Sequence, residues 1–189
     1  MTIIVGLGNP GKKYERSRHN AGFIFLDRLV ERFRKMTEPD IKTWKLSDKF
    51  DTWHLKMTVS SHEINLLKPN TFMNKSGTAV FKFMNWFKDE EEKRLVLAYD
   101  DLDLPLGEFK IGENYPKSHN GVLSVVQSIG SGSFISIRLG TNNRDSSIDA
   151  ETTDYVLQPM KEDELVLLNR AIDAAIIDFE KYYPSYLGK

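Results

Sequence analysis

The side chains with most chemistry to offer fall in four short segments: an imidazole at His19, carboxylates at Asp100, Asp101 and Asp103, and side-chain amides at Asn9, Asn20, Asn74 and Asn120. No cysteine is present and no serine sits in a nucleophile-elbow pattern, so covalent acyl transfer is disfavoured and water is the expected nucleophile. A histidine with its ordinary pKa of about 6.5 takes a proton from water at neutral pH. A carboxylate partner would fix its tautomer and stabilise the imidazolium that forms. Neutral amides then hold the water, orient a carbonyl and stabilise an oxyanion, an effect of about 3–4 kcal/mol for a well-placed donor. The set suits hydrolysis of an activated acyl bond such as an ester.

Each member also has a structural explanation. A lone loop histidine is more often structural than catalytic, and Tyr99-Asp100-Asp101-Leu102-Asp103 reads equally as turn and helix-cap chemistry or as a magnesium site. Asn70 and Asn114 read as turn residues, His54 and His62 as structural, and Trp44, Trp53 and Trp86 as core or staple residues rather than base-stacking platforms. Convergence of separate segments on one place is what favours catalysis.

Positioning these groups requires a scaffold, and apolar runs of strand length alternate with helical patterns as in an α/β domain. The patterning predicts strands at Thr2–Gly6, Trp53–Ser60, Glu63–Leu67, Arg94–Ala98, Phe109–Ile111 and Phe134–Gly140. Helices are expected at Ala21–Met36, Ser76–Phe87, Asn120–Ile129 and Lys161–Tyr182, the last with a core-facing stripe at Leu165, Leu168, Ile172, Ala175, Ile176 and Phe179. Asp40 to Asp51 is the least patterned early stretch, and the polar run from Asn142 to Thr153 is expected to be a mobile loop. The first strand leads into Asn9 and His19, Ile64 to Leu67 leads into Lys68 to Asn74, and Leu95 to Ala98 leads into Tyr99 to Asp103. With those strands parallel, the three following loops meet at the carboxyl ends of the sheet, where open α/β folds bind ligands.

Gly6-Leu7-Gly8-Asn9-Pro10-Gly11 also matches the spacing of a dinucleotide-binding fingerprint. That motif needs a helix to begin within the glycines so that its first amides meet a pyrophosphate, whereas helical spacing here starts only near Ala21 and Pro10 interrupts the intervening stretch. No acidic residue ends a second strand about twenty positions on. The segment from Gly6 to Asn20 therefore reads as a long ordered loop.

The 189 residues suit one domain spanning the whole chain with a sizeable core. The four histidines lack the short spacings of zinc sites, and with no cysteine a metal is not expected. No membrane span or signal-peptide pattern is present, which points to the cytoplasm. A net charge of −1 disfavours wholesale nucleic-acid binding but allows a local basic face, for which Lys12, Lys13, Arg16 and Arg18 are candidates.

Taken together, four motifs give the chain a resemblance to bacterial peptidyl-tRNA hydrolases from Ile3 to about Leu157. They are Gly-Leu-Gly-Asn-Pro-Gly with Tyr14 and Arg18-His19-Asn20-Ala21-Gly22; Pro69-Asn70-Thr71-Phe72-Met73-Asn74-Lys75-Ser76-Gly77; Tyr99-Asp100-Asp101-Leu102-Asp103-Leu104-Pro105; and His119-Asn120-Gly121. The resemblance implies a monomeric α/β fold with a mixed twisted sheet flanked by helices on both faces. It also implies hydrolysis of the ester joining a peptide to the ribose of tRNA, with no cofactor. On it, His19 is the base that activates water and Asp100 its orienting carboxylate. Asn9 and Asn74 bind the peptide or the ester region, Asn120 positions substrate or water, and Tyr14 and Met73 line the cleft around the terminal adenosine and peptide. Lys110 and Arg138 match positions that contact tRNA phosphates, and peptide sequence is expected to matter little.

Departures from the family pattern fall at Glu108, at Gly112 to Ser118 and at Leu139 to Arg144, all concerned with substrate handling. A noncatalytic RNA-binding relative on the same scaffold is the alternative reading.

Overall fold

The computed structural model describes residues 1–36, 43–59, 62–88, 93–130, 133–144 and 152–188. Among them one mixed sheet contains β1 (Thr2–Gly6), β2 (Lys45–Ser47), β3 (Thr52–Val59), β4 (His62–Pro69), β5 (Arg94–Pro105), β6 (Phe109–Gly112) and β7 (Ile135–Asn142). The strand order is β2-β3-β4-β1-β5-β7-β6. Helices α1 (Ala21–Met36), α2 (Ser76–Trp86), α3 (Asn120–Ile129), α4 (Thr152–Leu157) and α5 (Glu162–Tyr182) complete the fold. The expected strand end at Ser60 and most of the expected loop at 142–153 lie outside the described residues. No helix among those described is long and apolar enough to cross a membrane.

Pleating divides the core. In β1, Ile4 faces a cluster with Phe25, Leu29 and Phe33 of α1 and Ile172, Ile176 and Phe179 of α5. Its neighbours Ile3 and Val5 face the opposite cluster, with Val80 and Phe83 of α2 and Val122 and Val125 of α3. Near-continuous apolar runs in β1 and β5 are thus explained by helices on both faces, as parallel strands require.

The strands expected to run parallel do so: β1 pairs parallel with β4 (Val5 opposite Leu67) and with β5 (Val5 opposite Leu97). The ends of β1, β4 and β5 therefore lie side by side. One expectation is corrected. Tyr99 to Asp103 is not a loop after the strand but part of β5, which continues to Pro105 with a register irregularity beyond Asp101. Strand β7 explains this, because Tyr99, Asp100 and Asp101 pair with Arg138, Leu139 and Gly140, giving the backbone sheet partners despite polar side chains. The short β2 and the one-and-a-half-turn α4 carried too little periodicity to be foreseen.

The first loop contains two 3-10 turns, at Lys12–Tyr14 and Arg18–Asn20, and the long helix begins at Ala21, which removes the dinucleotide reading. Gly22 in the first turn of α1 sits hard against the sheet. A Cβ there would lie 2.2 Å from the Ala98 carbonyl oxygen and 2.5 Å from Leu7 N. This contact sets the height of α1, and of the His19 turn before it, over β1 and β5. Gly22→Ala is expected to destabilise by about 1–3 kcal/mol through overpacking. Calorimetry should record a fall in Tm of roughly 2–12 °C for a chain of this size.

Candidate active site

Asn20 organises the first loop: its Oδ1 accepts from the Asn9 backbone N–H at 2.8 Å and its Nδ2 donates to the Asn9 carbonyl at 3.0 Å. The fixed Asn9 uses its own Oδ1 to accept the backbone N–H of Met73 at 2.8 Å. One asparagine pair thus ties the loop after β1 to the segment after β4. Asn9 has its Nδ2 left to offer a ligand in the cavity it lines.

That cavity encloses about 320 Å³ and is lined by His19, Asp100, Asn9, Tyr14, Met73, Asn74 and Asn120, together with His119 and residues of α4. All seven residues expected for catalysis and substrate contact are therefore brought together. Lys110 and Arg138 are not among its walls. They pair with each other across β6 and β7. Arg138 is directed by its Nε to the Asp101 carboxylate, whereas Lys110 is exposed.

At the floor, His19 Nδ1 lies 2.9 and 3.0 Å from the two oxygens of Asp100. A second imidazole reaches the same carboxylate: His119 Nε2 is 3.0 Å from Asp100 Oδ1. His119 Nδ1 accepts the backbone N–H of Val122 at 3.2 Å, at the start of α3. The tautomers follow from these contacts. His119 carries its proton on Nε2 and donates it to Asp100; His19 carries its proton on Nδ1 and keeps the Nε2 lone pair for water. Gly121 permits the arrangement, since a Cβ there would lie 2.3 Å from Met73 Sδ and 3.1 Å from His119 Cε1.

The electrostatics follow from burial and pairing. Burial pulls His19 towards its neutral form, but the charge and hydrogen bond of Asp100 outweigh it and leave the pKa above the ordinary 6.5. Burial alone would raise the Asp100 pKa, yet the two imidazoles hold this 2 % exposed carboxyl far below its usual range. The sign for stability is set by these directions. Asp100 contributes above its unfolded pKa of about 3.9 and that contribution is lost as pH falls through the depressed value. His19 contributes in full below about 6.5 and loses that contribution as pH rises through its raised value.

His19, Asp100 and His119 are also the one group of three possible metal ligands among the described residues, with donor atoms within 4.8 Å of one another. Their hydrogen-bond spacings direct both ring N–H groups at the carboxylate. Sequence reading missed His119 as a partner of Asp100; its only signal was adjacency to Asn120. His54 and His62 each have a neutral partner, Asn65 Oδ1 at 2.8 Å and Thr2 Oγ1 at 2.9 Å, consistent with structural roles.

A buried cluster anchors the turn that carries His19. Arg18 donates to Glu164 Oε1 at 2.5 Å, and its guanidinium lies 4.1 Å from the centre of the Tyr155 ring in α4. Asn143 Nδ2 donates to the same Glu164 oxygen at 2.6 Å. Arg16 pairs with Glu162 at 2.6 Å. Two members of the expected basic cluster are thus paired with α5, Arg18 buried and Arg16 still exposed, and Lys12 and Lys13 are exposed beside them. Of the tryptophans expected as core or staple residues, Trp44 packs partly buried against the core, whereas Trp53 and Trp86 are exposed, Trp86 with its ring against Phe50.

The matching known proteins share this arrangement of segments over nearly the whole chain. The sequence profile of the family described as peptidyl-tRNA hydrolase matches residues 3–185. This chain belongs to the peptidyl-tRNA hydrolase family. It is 38% identical over 177 residues to a peptidyl-tRNA hydrolase of Pseudothermotoga lettingae, covering 93% of this chain and 87% of the relative. It is 37% identical over 179 residues to one of Chloroflexus aurantiacus, covering 92% and 90%. A crystal structure of peptidyl-tRNA hydrolase from Acinetobacter baumannii matches with a TM-score of 0.81 at 28% identity, over 99% of this chain and 92% of that one. The family's mixed α/β fold is the one described above.

The pairing of His19 with Asp100 makes a separable prediction. Asp100→Asn removes the charge that raises the His19 pKa and leaves the burial that lowers it. NMR titration of the His19 Cε1–H signal should give a lower pKa in the variant, and the acid limb of the rate–pH profile should move to lower pH with it. The plateau rate should fall by about 10²–10⁴. An unmoved acid limb would mean that Asp100 does not face the base.

Proposed function

We propose that this chain, acting as one domain and in a single copy, hydrolyses the ester between a peptide and the ribose of tRNA. The observation that carries the reading is a histidine whose Nε2 lone pair faces an amide-lined cavity while its Nδ1 proton is held by a buried carboxylate. Water is positioned by the amides, and His19 Nε2 takes its proton as the oxygen attacks the ester carbonyl. Asp100 stabilises the imidazolium, and His119 keeps Asp100 ionised and oriented. The proton then passes from His19 to the departing ribose oxygen, releasing the tRNA with a free hydroxyl and the peptide as a carboxylic acid, which loses its remaining proton to solvent and leaves as a carboxylate.

Asn9 Nδ2, Asn74 and Asn120 are assigned to the carbonyl, the peptide backbone and the water, with Tyr14 and Met73 as walls around the terminal adenosine. No metal or cofactor is required, because the imidazole supplies the base and the amides the oxyanion donors. Lys110 and the terminal nitrogens of Arg138 are assigned to tRNA phosphates. Charge-assisted contacts of that kind tolerate a neutral chain because only the local patch matters. Such a substrate arises where translation occurs, which assigns the enzyme to the cytoplasm.

His19→Ala should lower ester cleavage by about 10²–10⁴-fold while affinity for tRNA stays near wild type, with Tm lowered because the buried Asp100 keeps only His119 as an imidazole donor. Release of labelled peptide from peptidyl-tRNA measures this directly. A folded variant within a few-fold of wild type would return the noncatalytic RNA-binding reading.

Glu108 tests the phosphate assignment. It immediately precedes β6, where alternation brings it to the same side as Lys110, and no ion pair joins the two among the described residues. Its charge then opposes phosphate binding by about 1 kcal/mol at short range. Glu108→Lys should lower KM for peptidyl-tRNA severalfold, leave kcat nearly unchanged and steepen the salt dependence by about one phosphate contact. An unchanged KM at low salt would place Glu108 off the tRNA path.

A further inference from the structure

A carboxylate beside a phosphate-binding cation weakens the pull of that cation on phosphate, and β5 places one there. The Asp101 side chain is 2% exposed and accepts through Oδ2 from Arg138 Nε. Its other oxygen, Oδ1, accepts the Asp103 backbone N–H at 2.9 Å. Both oxygens are engaged, so the plane of the carboxylate is fixed. Asp101, Leu102 and Asp103 line the catalytic cavity, while Arg138 stands just outside it, 17% exposed and opposite Lys110 in the β6–β7 register.

The contact follows from the pleat. In the β5–β7 register Tyr99 stands opposite Arg138 and Asp101 opposite Gly140. Tyr99 packs into the cluster beneath α2 and α3, so Asp101, Arg138 and Lys110 all project from that face of the sheet. Gly140 has no side chain to stand between Asp101 and Arg138, which lie diagonal to each other. Holding Nε sets the plane of the guanidinium and turns its two terminal nitrogens outward as a fork, the geometry that matches the oxygens of a phosphate.

We propose that Asp101 is a positioning residue for tRNA binding, which holds the Arg138 guanidinium in the orientation from which it forks a phosphate. The inference rests on peptidyl-tRNA as substrate and on Arg138 as a phosphate contact. It goes beyond both by giving the carboxylate next to Asp100 a role in affinity rather than in ester cleavage. Two effects of opposite sign compete at this position. Charge alone makes a neutral residue at 101 bind tRNA more tightly, whereas orientation makes it bind more loosely, because an untethered arginine must be immobilised at the moment of binding. A carboxylate with both oxygens engaged, against a guanidinium that is itself mostly buried, is the arrangement in which orientation prevails.

The test compares peptidyl-tRNA with the N-acetylphenylalanyl ester of adenosine, which has the ester but no phosphate. Both are given to wild type, Asp101→Ala, Arg138→Ala and the double variant, with Tm measured for each protein. Asp101→Ala should raise KM for peptidyl-tRNA about three- to tenfold, keep kcat within about twofold, flatten the salt dependence by up to about one phosphate contact and change kcat/KM for the phosphate-free ester by no more than about twofold. In the double variant it should add nothing to the effect of Arg138→Ala. An unchanged or lowered KM in Asp101→Ala would overturn the proposal, since charge alone would then be felt. Equal losses on both substrates would also overturn it, by making Asp101 a support of the cavity wall, as would a full additional loss in the double variant.

Where Asp101→Ala does not fold, Arg138→Lys carries the test, because it keeps the charge and gives up the fork. Its KM for peptidyl-tRNA should lie closer to that of Arg138→Ala than to wild type, and the reverse would overturn the proposal. Failure of wild type to cleave peptidyl-tRNA would instead sink the functional reading. The positioning role is then read from the Kd for deacylated tRNA at low salt, which Asp101→Ala, or Arg138→Lys in its place, should raise. A Kd unchanged or lowered in the variant, or no binding by wild type, would reject it.

Discussion

A carboxylate removed almost completely from water is the constraint around which this molecule is arranged. Asp100 is 2 % exposed, and an ionised group so placed is tolerable only when charge-assisted donors replace its hydration. Two imidazoles do so from opposite parts of the chain: His19 from the turn before α1 and His119 from the residue before α3. Each must therefore arrive within hydrogen-bond reach of one strand. That requirement explains why β5 continues past the point where its apolar run ends, and why Gly22 and Gly121 occur where any Cβ would collide with neighbouring atoms.

The two histidines meet the carboxylate on unequal terms. His119 has both ring nitrogens engaged, one by the Val122 N–H and one by Asp100, which fixes its tautomer and leaves it no lone pair for chemistry. His19 has one nitrogen engaged and one facing the cavity. Identical side chains on the same carboxylate thus divide into one with both ring nitrogens engaged and one with a lone pair left over, and the division is made by a single backbone N–H at the start of a helix. Adjacent Asp101 is used differently again: its carboxylate accepts from Arg138 and from the Asp103 backbone, so alternation along β5 separates the carboxylate that meets the two imidazoles from one that steadies a cation.

Where the sequence was legible, the reason was local. The apolar runs of β1 and β5, the stripe of α5 and the start of α1 at Ala21 are periodic features of contiguous residues, and the structure has them where the pattern puts them. The convergence of Asn9, His19, Asn74 and Asp100 followed from parallel strands, a topological rule that needs no side-chain detail. What escaped was non-local. His119 lies nineteen residues from Asp100, and nothing between them in sequence announces the contact. Arg18 looked like part of a basic surface because its acidic partner, Glu164, is 146 residues away. The end of β5 was misjudged because polar side chains signal a loop, while the backbone obeys the hydrogen bonds offered by β7. Trp53 was assigned to packing because large apolar residues usually are buried, and the exposed indole shows that average preference says little about an individual residue.

The wall of the catalytic cavity opposite the amides depends on the buried Arg18 cluster. Helix α4 contributes Val156 and Leu157 to that wall, and six residues are too few to hold a helix in place by their own propensity. Its position comes instead from Tyr155, whose ring lies under the Arg18 guanidinium and whose hydroxyl donates to the Thr141 carbonyl at 3.1 Å. Arg18 is the residue immediately before His19, so the same guanidinium that seats α4 also seats the turn presenting that imidazole. The buried Arg18–Glu164 pair is therefore better understood as a device for geometry than as a source of net stability, which buried ion pairs seldom supply. Through it, the α4 wall of the cavity and the His19 imidazole that lines the same cavity share one anchor on α5, and neither can shift without the other.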